Sequence, residues 1–193
     1  MYAIVKDGAI TATGNIKQLF PNTSFAGGTA NADFKTAEGV KDIVQGERKD
    51  QKYYYVTQGD IALVDGVPTQ QYTNTAKRLE DEDAKDENGK QLYVQVWDDD
   101  KEEMVDTSEK LINQGLKSVM TSQVKDTANK LLAKTDWMVI RKAERDVAIP
   151  SATATYRAAV ITECARLETA IANASDVDAL ATVMAGQNWP KED

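Results

Sequence analysis

The sequence predicts an α+β protein, with a β-rich N-terminal domain built of hairpins followed by a small C-terminal α-helical domain. Three observations lead there. Asp7-Gly8, Asp65-Gly66 and Asn88-Gly89 punctuate short β-branched and aromatic runs in the first hundred residues. Such dipeptides favour tight hairpin turns because their members tolerate positive φ. Leu92, Val94 and Val96 alternate with Tyr93, Gln95 and Trp97, the period of a strand. Later the period changes. Tyr156, Val160, Cys164, Leu167 and Ile171 keep returning to one face of a 3.6-residue helix.

In chain order, Tyr2–Val5 and Ala9–Thr13 read as an opening hairpin, and Ile16, Leu19 and Phe20 lead into a loop through Pro21 and Gly27-Gly28. Asn31 caps a short helical turn through Glu38, stopped at Gly39, and Val40–Val44 is a strand. Tyr53–Thr57 carries the strongest strand signal, since aromatic and β-branched side chains suit a half-buried pleated surface. Ile61–Val64 and Val67 flank the second turn, and Thr69–Leu79 is polar and extended. The β-rich domain is thus assigned to residues 1–100. Asp98-Asp99-Asp100-Lys101-Glu102-Glu103 marks the boundary, with an acidic linker at 101–106.

Residues 107–193 form the helical domain. Asp106 with Glu109 suggests a capping box ahead of a stripe of Ile112, Leu116, Val119, Val124, Ala128 and Leu131. Asp136 caps a short second helix, Pro150 opens the long helix, and Ser175 with Asp178 begins a last helix over Val177, Leu180 and Met184, ended by Gly186. Trp137 and Trp189 read as core pins holding the short helices.

Charge and composition narrow the function classes. The chain carries a formal net charge of −8, and residues 80–103 hold 11 acids against 3 bases, so the excess lies in that segment. A nucleic-acid partner is not expected, because that needs a Lys/Arg-rich surface to displace counterions. No stretch is apolar enough to span a membrane, so no membrane partner is expected either. The sequence contains no histidine, the commonest general base and transition-metal ligand. Its single cysteine, Cys164, falls on the buried stripe and reads as a small core residue. With one cysteine no intrachain disulfide can form, which fits folding in a reducing cytoplasm, and Met1–Asp7 lacks the basic start and apolar run of a signal peptide.

The chemistry-bearing motifs are few. A calcium loop starting at Asp81 needs glycine at its sixth position and glutamate at its twelfth, where the chain has Asp86 and Leu92. Glycine-rich phosphate loops, nucleophile elbows and zinc-ligand spacings are not present. No catalytic residue, cofactor or metal ligand is nominated, although a carboxylate pair remains an open alternative among so many acids.

One pattern has a recognisable order. Leu131-Leu132, Thr135-Asp136-Trp137, Ile149-Pro150, Tyr156-Arg157 and Trp189-Pro190 follow one another through the C-terminal sixty residues. This resembles the C-terminal region of bacteriophage tail fibre assembly and tail assembly chaperone proteins, and is similar to helical modules of phage tail structural proteins. The family often carries a further aromatic before the Tyr-Arg pair, where this chain has Ala154 and Thr155, and a shorter run before Trp-Pro. The resemblance implies a non-enzymatic virion protein of the tail, baseplate or fibre-attachment apparatus, made in the host bacterial cytoplasm. Its implied partners are other phage tail or fibre proteins and further copies of itself. Asp136, Trp137, Tyr156, Arg157, Trp189 and Pro190 are then the candidate structural or interaction residues. A fibre assembly chaperone that leaves the particle, and a glycan-degrading enzyme using a carboxylate pair, are the alternatives.

Overall fold

The computed structural model describes residues 1–191. It is an α+β protein whose chain divides between Ala76 and Lys77 into two compact units. The division falls some twenty-five residues before the acidic segment that the sequence suggested as a linker, at the start of the charged stretch 77–83.

The first unit holds two small sheets. Strands β1 (Tyr2–Lys6) and β2 (Ala9–Gly14) form the opening hairpin, and β3 (Val40–Asp42) adds antiparallel to the other edge of β1. Asp7 and Gly8 take φ of 51° and 74°, the left-handed pair that a two-residue hairpin turn requires. Between β2 and β3 run α1 (Ile16–Leu19) and α2 (Ala32–Glu38). Asn15 and Gln18 close a capping box on α1, a signal legible in Asn-x-x-Gln. Asn31 caps α2 by accepting from Phe34 N, as its position suggested. Gly39 ends α2 at φ 66°, and a Cβ there would strike the Val5 carbonyl oxygen. Ile16, Ala30 and Val40 are buried beneath Phe20, Phe25 and Phe34, whose rings pack edge to face with centroids 5.0 Å apart.

The second sheet is dominated by one long hairpin. Strand β5 (Tyr54–Val64) pairs antiparallel with β6 (Val67–Ala76), and β4 (Val44–Gln45) lies parallel on β6. The expected strands at 53–57 and 61–64 are therefore continuous across a bulge between Gln58 and Ile61. Gln70 is buried there, donating to Gly59 O at 2.6 Å and accepting from Gln58 Nε2 at 2.9 Å. Its amide thus replaces ladder bonds that the bulge removes.

The second unit joins short strands to four helices. Strands β7 (Glu82–Asp83) and β10 (Ile112–Asn113) pair with each other, as do β8 (Tyr93–Asp98) and β9 (Glu103–Lys110). Residues 98–103 are thus the turn of a β8–β9 ribbon and not a linker, and Asp106 lies in β9 and caps no helix. Eight residues of weak apolar alternation are held as a strand by their neighbour, which no local signal reveals.

Helix α3 (Leu116–Ala133) begins at Gly115, later than the stripe from Ile112 implied. Its first amides are satisfied from far along the chain. Leu116 N donates to Arg78 O at 2.9 Å, Lys117 N to Leu79 O at 3.0 Å, and Gly115 N to Asp81 Oδ1 at 2.7 Å. Asp81 Oδ2 also accepts from Ser118 Oγ at 2.8 Å. A Cβ on residue 115 would run into the Leu79 and Glu80 backbone, so glycine is required for this approach. The Gly115 amide, then Ser118, holds the Asp81 carboxyl below its ordinary pKa.

The remaining helices are α4 (Asp136–Arg145), α5 (Ser151–Ala172) and α6 (Val177–Ala185). Helix α5 is the axis of the unit: Val160, Leu167 and Ile171 are fully buried, with Tyr156 and Cys164 half-buried on the same stripe. Met120, Val124 and Ala128 of α3 and Leu180 and Met184 of α6 complete the core. Asp176, not Ser175, caps α6, accepting from Ala179 N at 2.8 Å.

Candidate functional site

The residues of the C-terminal sequence pattern converge where α3 ends, α4 begins and α5 passes behind them. Thr135 is buried at the α3–α4 corner and serves as the cap of α4; Asp136 is the first helical residue, not the cap. Arg157, in the second turn of α5, reaches this corner. Its Nη1 donates to Leu132 O at 2.8 Å and Thr135 Oγ1 at 2.7 Å, and lies 2.8 Å from Asp136 Oδ1. One guanidinium therefore satisfies a carbonyl at the end of α3 and the carboxylate that opens α4. Arginine suits this because its planar fork presents several donors at once.

Tyr156 and Pro190 lie on the other side of the corner. With Thr135, Met138, Ser151 and Ala159 they line an open depression of about 640 Å³. The Tyr156 hydroxyl is covered and has no hydrogen-bond partner among the described residues. Pro190 reaches the rim because the tail after α6 is tied to α5. Glu163 Oε1 accepts from Asn188 N at 2.7 Å, and both Glu163 oxygens accept from Arg166 at 2.6 Å. Arg166 Nη2 also donates to Gly186 O at 3.0 Å. Glu163 is 8% exposed; the Arg166 guanidinium first, and then the Asn188 amide, outweigh its burial and keep its pKa low.

The two tryptophans differ from expectation. Trp137 is 52% exposed, so it is not a core pin. A ten-residue helix anchored by its first turn buries no residue fully, and the Trp137 ring instead carries the Arg141 guanidinium 4.8 Å from its centroid. Trp189 is half-buried, with Nε1 donating to Gln187 Oε1 at 2.8 Å. Thus Asp136, Tyr156, Arg157 and Pro190 share one corner, Trp137 stands outward from α4, and Trp189 packs on the tail.

Sequence reasoning passed over Glu163 and Arg141, and it quoted Thr135 in the pattern without naming it as a site residue. Position 163 had a legible signal, since a carboxylate between Val160 and Leu167 on the buried stripe demands a partner. Cys164, half-buried beside Glu168, has its thiol pKa raised by burial and then by that carboxylate, so it stays protonated near neutral pH. Among the described residues no three His, Cys, Asp or Glu side chains gather as a metal site, and no helix is long and apolar enough to cross a membrane.

No protein-family model, curated protein or solved structure matches the chain.

Proposed function

We propose that this chain is a non-enzymatic bacteriophage virion protein of the tail, baseplate or fibre-attachment apparatus, working by protein–protein docking and oligomerisation. The observation that carries the reading is the convergence of the sequence pattern on one place. Thr135, Asp136, Tyr156, Arg157 and Pro190, scattered over fifty-odd residues, meet at the α3–α4–α5 corner. Beside that corner α4 presents Trp137 and Ile140, 52% and 56% exposed. Large apolar side chains in the open beside a rigid scaffold suit a surface that a partner covers. On this reading Arg157 is a positioning residue that fixes the angle at which α4 offers Trp137.

Mass spectrometry of purified virions, scaled to the major tail proteins, tests the assignment. Stoichiometric presence is the expected result. Abundance in infected lysate with absence from particles would replace it with an assembly chaperone that departs, and absence from both would overturn the phage reading altogether.

A further inference from the structure

The β8–β9 ribbon leaves much of its apolar surface uncovered. Among the described residues its two strands pair in the sheet with no third strand, and a two-stranded ribbon is marginal in water. Trp97 and Met104 are register partners on one face, 58% and 51% exposed, and Val96 on the other face is 48% exposed. At the turn beyond them stand Asp98, Asp99, Asp100, Glu102 and Glu103 against Lys101 alone. Lys101 pairs with Asp98 at 3.1 Å, and among the described residues the other four carboxylates have no ion pair.

Helix α4 carries the complementary arrangement. Trp137, Arg141 and Arg145 are spaced i, i+4, i+8 along one ridge, with exposed Ile140 beside it. Neither Arg141 nor Arg145 has an ion pair among the described residues, and the Arg141 Nε has no hydrogen-bond partner. Trp137 and Arg141 lie about 6 Å apart along the helix, and Asp99 follows Trp97 by two residues, at the start of the turn. Both surfaces are exposed in the same chain, so neither covers the other within it.

We infer that the β8–β9 ribbon of one copy docks on α4 of a second copy. Trp97 and Met104 pack on Trp137 and Ile140, while Asp99, Asp100, Glu102 and Glu103 face Arg141 and Arg145. The contact joins two different surfaces, so it either closes reciprocally as a two-fold dimer or repeats head-to-tail into a ring or a filament. Two ribbons meeting each other would bring like-charged turns together, which disfavours a ribbon-to-ribbon pairing. The inference deepens the docking function proposed above and rests on its premise of action through protein contacts, but not on the phage assignment.

Sedimentation of the purified full-length chain tests it without any other component. At about 50 mM salt the average mass should rise with concentration above that of one chain, and fall back at about 500 mM salt as the carboxylate–guanidinium attraction is screened. Trp97→Ser and Ile140→Ser should each weaken association at least about tenfold, the loss of a central apolar anchor. Mixing the two variants should restore a 1:1 dimer and no larger species, because each retains the surface the other lacks. Should Trp97→Ser lower the melting temperature, Met104→Ser on the paired strand carries the same test. A wild-type chain that stays monomeric, variants that associate like wild type, or a mixture that does not pair would each overturn the inference. Virion mass spectrometry remains a separate readout, so failure here leaves the phage assignment standing.

Discussion

Helix α5 and the β8–β9 ribbon use similar residues in opposite ways. On α5, Val160, Leu167 and Ile171 have no exposed surface, and even the polar Glu163 on that stripe is buried against Arg166 and Asn188. On the ribbon, Val96, Trp97 and Met104 are about half in water, and most of the neighbouring carboxylates have no ion pair among the described residues. The first region is closed because α3 and α6 supply facing surfaces. The second is open because, among the described residues, no third strand joins it. Apolar side chains hold the helical core together in one place and are presented outward in the other.

Five substitutions or conditions sharpen this contrast. The largest effect is expected from Leu167→Ala, which opens a cavity where no surface is exposed and should cost about 2–5 kcal/mol in urea unfolding. Gly115→Ala comes next, at about 1–3 kcal/mol, because its methyl would have to displace the Leu79–Glu80 backbone that caps α3. A Gly115→Ala variant as stable as wild type would mean that this close approach relaxes freely.

Acidification should act more gently. Asp81 and Glu163 both have lowered folded pKa values, so their stabilisation is complete above the unfolded pKa and disappears as pH falls through the folded one. Thermal melting followed by helical circular dichroism should therefore hold steady near neutrality and drop below about pH 4. Asp81→Asn, which keeps an acceptor but no charge, should flatten part of that drop. The smallest effect belongs to Trp97→Ser, under about 1 kcal/mol, since only cross-strand contact with Met104 is lost. If Trp97→Ser instead costs as much as Leu167→Ala, the ribbon belongs to the core after all.

The legible parts of the fold are those governed by neighbours in sequence. The hairpin turns at Asp7-Gly8 and Asp65-Gly66, the cap at Asn31 with its stop at Gly39, and the stripe of α5 all depend on residues within a turn or two of each other. The candidate corner was half legible. The order of Asp136, Tyr156, Arg157 and Pro190 stands in the sequence, but the bond from Arg157 to Leu132 and Thr135 spans more than twenty residues. Trp137 was misplaced because a tryptophan's size speaks for burial, whereas exposure depends on whether another element covers it.

By itself, then, the sequence determined the α+β class, the three turn dipeptides and the buried face of α5, since φ preferences and helical periodicity are local properties. Tertiary structure alone decided that residues 103–110 pair as a strand, that Asp81 reaches the start of α3, and that Glu163 holds the tail. Each of these joins groups far apart in the chain, and a bond of that kind exists only once the backbone has brought both partners to within about 3 Å.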